Sequence, residues 1–323
     1  MMRALRKTVV GLLAAVFAGS IPAYAQYPDK PIRMIVGFVP GGFTDVLART
    51  IGQKLEGNLG KPVVVENKPG ASGTIGADQV AKAKPDGYTL LMGHVNSNAI
   101  APALYPRLPY DVIKDFTPII HVASTPMLLT VNASVPAQDV KSFIELAKSG
   151  RGLTFASSGN GSVQHLTAEL FMLATGTKMT HVPYKGSGQA IVDLVAGQVD
   201  LNFESPPNVL PHLRSGKVRV LAITSPERSP TLPNVPTLEE AGVKGAEVSQ
   251  WFGVLGPANL PTEIVAKLNA EIGTILKSPE VIERIQSQDG KILGGSAEEF
   301  AAFIKEDTAR WAKLIKDANV RLD

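Results

Sequence analysis

From Ile32 to Ser225, short β-branched and apolar runs alternate with amphipathic stretches, and this constrains the fold more than any other feature. Ile32–Phe38, Pro62–Glu66, Tyr88–Gly93, Leu153–Ser157, Met179–Tyr184, Val199–Glu204 and Val218–Ser225 have the length and residue types of strands. Thr44–Leu59, Thr74–Ala83, Asn98–Leu104, Val140–Ser149, Val163–Ala174, Gln189–Ala196 and Asn208–Arg214 have helical spacing. A βαβα order predicts parallel sheets covered by helices. Thr117–Asn132 is a longer extended stretch broken by Pro126. Together with 218–225 it brackets the middle third, as two crossings into and out of an inserted domain would.

Beyond Thr224 the texture changes. Pro226, Pro230, Pro233 and Pro236 punctuate a loop, and Val248–Gly256 reads as one more strand. The rest is expected to be all helix: Pro261–Lys277, Pro279–Gln288 and Ala297–Asn319. Pro261 and Pro279 suit first turns, and Ser296 suits an N-cap followed by acids. Phe300, Phe303, Ile304, Trp311, Leu314 and Ile315 form a stripe for packing.

The start of the chain bears on charge and address. Arg3, Arg6 and Lys7 precede the apolar segment Thr8–Ile21, and Ala23-Tyr24-Ala25 fits an A-x-A cleavage site. These features predict a secretory signal peptide cleaved after Ala25. The apolar segment is short for a bilayer, which needs roughly 20 residues. The whole chain has 32 basic and 29 acidic residues; losing the leader's three basic residues leaves 29 against 29. A neutral mature chain of 298 residues (323 less 25) is not a nucleic-acid binder, and its length suits two domains. The absence of cysteine excludes disulfides, thiolate catalysis and Cys–zinc sites.

Five polar loops follow predicted strands. The first is Phe38-Val39-Pro40-Gly41-Gly42-Phe43-Thr44-Asp45, a glycine turn that aims a helix start at open space. Free N–H groups at a helix start favour an anion. A P-loop needs G-x-x-x-x-G-K-[ST], and the lysine is missing. Gly70-Ala71-Ser72-Gly73-Thr74-Ile75-Gly76 lacks the G-x-G-x-x-G spacing of a dinucleotide fingerprint, and its glycines are expected to serve close packing. The other four loops carry His94, Ser97 and Asn98; Ser158, Gly159, Gly161 and Ser162; Tyr184, Lys185, Gly186 and Ser187; and Phe203, Glu204 and Ser205. In parallel sheets ligands lie at the carboxyl ends of the strands. These loops are therefore expected to meet in a cleft and hold a carboxylate through backbone N–H groups and hydroxyls. No G-x-S-x-G occurs and the five histidines form no zinc pattern.

At this point the chain resembles the Bug-type periplasmic solute-binding proteins, the receptors of tripartite tricarboxylate transporters. The matching stretches are Tyr27-Pro28-Asp29-Lys30-Pro31-Ile32-Arg33, Pro40-Gly41-Gly42 with Asp45 and Arg49, Val63 to Gly70, Pro85 to Leu90, His181 to Gly186, Leu221 to Ser225, Pro233 to Thr237, and Trp251-Phe252-Gly253. The resemblance implies an α/β two-domain periplasmic binding protein, a type II Venus flytrap in which each domain is a mostly parallel sheet flanked by helices. It implies domain 1 from 26–124 and 225–323, with domain 2, 125–224, inserted. It implies a monomer with no catalysis and no cofactor, a small carboxylate ligand, and an integral-membrane permease as partner. By the same resemblance, Pro40 to Asp45, residues 94–98 and residues 158–162 hold the proximal carboxylate. Residues 184–188 and 203–205 shape the distal end, and Phe38 and Phe203 form apolar walls. Asp45 caps its helix, and the bulky Phe43 points to a flat or apolar ligand body. Two other readings use the same residues: a ligand sensor for a membrane signalling partner, and an exported hydrolase using Ser158 or Ser162.

Overall fold

The chain runs through two sheets, leaving the first after Pro126 and returning to it at Ser249. The computed structural model describes residues 27–321, so the leader peptide expected at 1–25 lies outside it. The first stretch builds β1 (Ile32–Val36), α1 (Phe43–Leu59), β2 (Val63–Asn67), α2 (Thr74–Ala81), β3 (Thr89–His94), α3 (Ala101–Leu104) and β4 (Phe116–Pro126). The middle builds β5 (Leu128–Asn132), α4 (Val140–Lys148), β6 (Thr154–Ser157), α5 (Val163–Thr175), β7 (Thr180–Pro183), α6 (Ser187–Ala196), β8 (Leu201–Glu204), α7 (Pro206–Arg214) and β9 (Val218–Ile223). The tail adds β10 (Ser249–Pro257), α8 (Thr262–Ile275), α9 (Pro279–Gln286), β11 (Lys291–Gly294) and α10 (Ala297–Asp317).

The six-stranded sheet has the order β11-β4-β10-β3-β1-β2, and the five-stranded sheet the order β7-β6-β8-β5-β9. β1 pairs in parallel with β2 and β3, while β10 lies antiparallel between β3 and β4. In the second sheet β6 pairs in parallel with β7 and β8, and β5 runs antiparallel to β8 and β9. Both sheets are thus mixed by pairing, although most strands point one way. The strand β11, antiparallel to β4, corrects the expectation of an all-helical tail. Four residues ending in Gly294 give too short a period to stand out from the flanking helices.

Both faces of the first sheet are covered, which is why its strands read as continuous apolar runs. Ile32, Met34 and Val36 of β1 pack with Leu47, Ile51 and Leu55 of α1 and with Leu268 and Ile272 of α8. Ile35 faces the other way, into the core that holds Ala77 and Val80 of α2 and Phe300, Ile304 and Trp311 of α10. The predicted apolar stripe of α10 is therefore core, and Ser296 closes a capping box with Glu299 at its start. Asp307 fastens this helix: its Oδ2 accepts from the indole N–H groups of Trp251 (2.8 Å) and Trp311 (3.0 Å).

The glycines at 73 and 76 do serve close packing. A Cβ at Gly76 would sit 2.8 Å from the Cα of Gly37, and one at Gly37 only 2.6 Å from the carbonyl oxygen of Gly73. This approach brings α2 against the start of the first loop.

The chain leaves the first sheet at Met127 and returns between Ile223 and Ser249. Thr224 ties these crossings together. Its hydroxyl accepts from Met127 N–H (2.8 Å) and donates to Val248 O (2.5 Å), and its own N–H donates to Met127 O (2.9 Å). Among the described residues no helix is long and apolar enough to cross a membrane.

Candidate functional site

The loop after β1 is shaped by a buried carboxylate. Asp45, 3% exposed, lies in the first turn of α1. Its Oδ2 accepts from Gly41 N–H (3.0 Å) and Arg49 Nε (2.9 Å), and its Oδ1 from Asn67 Nδ2 (2.9 Å). Asn67 also donates to Phe38 O (3.0 Å), and Arg49 returns to Asn67 Oδ1 (3.0 Å). Burial pushes the Asp45 carboxyl up, but the bonds from Arg49, Gly41 and Asn67 outweigh it and hold the group below the usual carboxylate range. Gly41 turns the chain at φ 88°, a conformation that disfavours any side chain. Asp45 therefore serves the loop, with both oxygens engaged by it. Arg49 could be read from its i, i+4 spacing to Asp45. Asn67, on the next strand, carried no such signal.

The result is an open helix start. Pro40, Gly41 and Gly42 are exposed, and the N-cap residue Gly42 places no side chain over the first-turn N–H groups of α1. Those donors are unmet within the helix by geometry. Thr44, buried, lies in the same turn.

The loop after β3 supplies shape. His94, 4% exposed, has both ring nitrogens engaged: Nδ1 accepts from Asn96 N–H (3.1 Å) and Nε2 faces Gln250 Oε1 (3.0 Å). Burial pushes its pKa down to about 4, so it is a neutral ring with its proton on Nε2. Gln250 passes the contact on to the crossing residue through Met127 Sδ (3.0 Å). His94 thus acts as a wall, edge-on to Phe38 (4.8 Å between centroids), and Phe38 stays half-buried at the loop. Ser97 donates to Asn98 Oδ1 (2.7 Å), which leaves the fully buried Asn98 Nδ2 as an unused donor.

A side chain of α5 links two loops of the second sheet. Gln164 accepts from Ser158 Oγ (2.8 Å) and donates to Ser187 Oγ (2.9 Å), linking the loops after β6 and β7. Nothing in the sequence marked Gln164, because its role depends on where β7 delivers Ser187. Ser162 caps α5 by accepting from His165 N–H (3.3 Å). The glycine donors here point inward: Gly159 N–H goes to Ser157 Oγ (3.1 Å) and Gly161 N–H to His165 Nδ1 (3.1 Å). Gly186 precedes α6 without a side-chain cap, as Gly42 precedes α1. Tyr184 OH donates to Asp193 Oδ2 (2.8 Å); burial and Asp193 push its pKa up to about 12.

Three of the expected contacts are engaged by the protein's own residues. Phe43, half-buried, packs its ring on Phe252 (5.0 Å) and over Gly290, against the margin of the core. Phe203 is wholly buried against Phe171. Both rings pack on partners far along the chain, which only the folded state brings beside them. Glu204 is buried, and its Oε1 accepts from Ser205 N–H (2.8 Å), Ser205 Oγ (2.9 Å) and Asn208 Nδ2 (3.2 Å). Burial pushes this carboxyl up against those bonds. Lys185 is exposed. Ser157 Oγ lies 2.6 Å from His181 Nε2, but this serine is 1% exposed and already bonded to Gly159, so the pair is not presented as a nucleophile.

Two mixed sheets joined at a tied crossing, with small polar loops at their strand ends, define a two-unit α/β fold of the periplasmic-binding-protein type. The chain belongs to the tripartite tricarboxylate transporter family receptors, whose model matches residues 47–320. It is 39% identical over 317 residues to Protein BugT of Bordetella pertussis, covering 97% of each chain. Among solved structures it is similar to the periplasmic binding protein BugD, at 38% identity and TM-score 0.82 over 91% of this chain and 99% of that one. It is equally similar in sequence to a protein of R. palustris solved with adipate, at 38% identity and TM-score 0.85 over the same shares.

Proposed function

We propose that this chain is an extracytoplasmic receptor. It binds a small carboxylate-bearing metabolite, a di- or tricarboxylate, an aromatic acid or an amino acid. The ligand lies between two units divided at Met127 and at the return after Ile223, and is delivered to the integral-membrane permease of a tripartite tricarboxylate-type transporter. The exposed, uncapped start of α1 carries the reading. Each N–H bond to a charged acceptor contributes roughly 1.5–3 kcal/mol, so two or three there make a carboxylate site without an arginine. Adipate in a relative of this size supports the ligand class. The leader peptide read from Arg3 to Ala25 supports a periplasmic address. A ligand that touches both units favours their closed arrangement by its differential affinity.

The test is a thermal-shift screen of residues 26–323 against mono-, di- and tricarboxylates, aromatic acids and acidic amino acids. A ligand at a hundred times its Kd adds about 2.7 kcal/mol and raises Tm by several degrees. A shift confined to one acid class supports the receptor and names its ligand. No shift in protein that mass spectrometry shows to be ligand-free overturns the reading.

A further inference from the structure

The turn after β6 brings a base to the chain's one Asn-Gly pair, Asn160-Gly161. Ser162 N–H returns to Gly159 O (3.1 Å), so this pair forms the corner of a tight turn, with Gly161 at φ 70°. Gly161 is buried, and its N–H donates to His165 Nδ1 (3.1 Å). That bond makes Nδ1 the unprotonated nitrogen and leaves the ring proton on Nε2, which faces Glu169 Oε1 (3.4 Å). His181 of β7 stacks on the ring, with centroids 3.9 Å and planes 14° apart, and keeps it in this direction. Carboxylate, imidazole and N–H thus stand in the order of an orienting acid, a general base and the group it activates. Ser157, Ser158 and Ser162 make the loop's side-chain bonds; among the described residues the half-buried Asn160 side chain makes none.

We infer that Asn160 is a self-modification site: the Gly161 nitrogen attacks the Asn160 side-chain amide, with His165 as its base and Glu169 positioning that base. The new bond joins Gly161 N to Asn160 Cγ, and the Gly161 proton passes to His165 Nδ1. The imidazolium so formed faces Glu169. The Cγ–Nδ2 bond then breaks, and the amide nitrogen takes that proton and leaves as ammonia. What remains is a five-membered cyclic imide. Water opens it at either carbonyl carbon, giving aspartate at 160 or its isomer linked through the side chain. One water is consumed, one ammonia is released, and nothing is oxidised or reduced. Gly161 has no side chain to crowd the approach. Its burial keeps bulk hydroxide from the N–H, so the folded chain reacts through the imidazole or not at all. The chemistry does not depend on the receptor reading. That reading gives it a consequence: a negative charge appears on a loop expected at a carboxylate ligand, and affinity falls with age.

The test holds residues 26–323 at pH 7.5 in water labelled with heavy oxygen and follows the tryptic peptide 152–178, whose only asparagine is Asn160, by mass spectrometry. Folded wild type should lose ammonia and gain the label at Asn160 faster than the same chain unfolded in urea, where hydroxide alone serves. A folded chain that reacts more slowly than the unfolded one, or not at all, overturns the inference. His165→Asn keeps an acceptor for Gly161 N–H but supplies no base. It should slow the folded reaction about a hundredfold, the lower end of what a positioned general base contributes. Equal rates in this variant and wild type overturn the inference as well. Glu169→Gln still accepts from Nε2 and should stay close to wild type, while Glu169→Leu should be slow at unchanged Tm; equal rates in all three remove Glu169 from the reaction. Calorimetry with adipate then reads the consequence, and Asn160→Asp should bind about tenfold more weakly than wild type. Unchanged affinity in that variant removes the consequence. Adipate that does not bind wild type counts against the receptor reading alone, and the peptide masses still decide the reaction.

Discussion

The loop after β1 and the loop after β6 occupy the same place in their sheets, yet they are pinned by opposite chemistry. The first is held by a charge: Asp45 gathers Gly41, Arg49 and Asn67, and in doing so leaves the start of α1 open. The second is held by a hydroxyl and a ring nitrogen, and spends its glycine N–H groups on Ser157 and His165. A sequence of small residues and glycines is thus not a measure of available donors. What matters is where each loop's own fastening lies. A carboxylate at the edge of the turn takes up one loop N–H, whereas the acceptors beneath the second turn take up two.

The comparison breaks most sharply at Asp45. Asp45→Ala leaves Arg49, Asn67 and Gly41 N–H without their shared acceptor, and removing one partner of a buried charged cluster costs about 2–4 kcal/mol. Urea denaturation should show that loss, and calorimetry a fall in carboxylate affinity of at least a hundredfold. Affinity within threefold of wild type would remove the first loop from the site.

Acid should next separate the two loops. His94 and His121 are buried neutral, each pushed down to about 4 by burial, and His181 is held down likewise. The unfolded chain takes up these protons near 6.5, so the stability the neutral rings contribute is complete above that pH. It is lost as pH falls toward 4, by roughly 2–4 kcal/mol for each fully buried ring. Asp45, with its pKa lowered, stays ionised through most of this window. Calorimetric Tm should drop by several degrees from pH 7.5 to 4.5, with proton uptake on unfolding. An unchanged Tm would mean that the histidines are not buried neutral.

Gly42→Val sharpens the claim that α1 offers its donors to a ligand. A Cβ at Gly42 meets nothing closer than Val39 O at 3.9 Å, so the fold should persist. Its bulk stands over the N–H groups, and affinity should weaken about tenfold (~1.4 kcal/mol). Unchanged affinity would sink the assignment. The smallest effect is expected at Phe43→Leu. Its ring packs on Phe252, so stability should fall by about 1 kcal/mol while affinity moves less than threefold. A large affinity change would return Phe43 to the cleft.

Much of this was legible in the chain itself. The alternation from Ile32 to Ser225 gave the sheets their strands and helices, because apolar period and turn residues act locally. The loops at 38–45 and 157–162, the Asp45–Arg49 pair and the Ser296 cap were local too. The tertiary structure alone decided which donors remain open, that Phe43 and Phe203 face cores, that β11 completes a sheet, and that Asn67, Gln164 and Gln250 connect the loops. Each of these depends on a partner far along the chain: Asn67 is 22 residues from Asp45, and Gln250 is 156 from His94. Sequence fixes a residue's donors and acceptors, but whether they are spent depends on what packing delivers beside them, and packing is set by elements that meet only in the folded state.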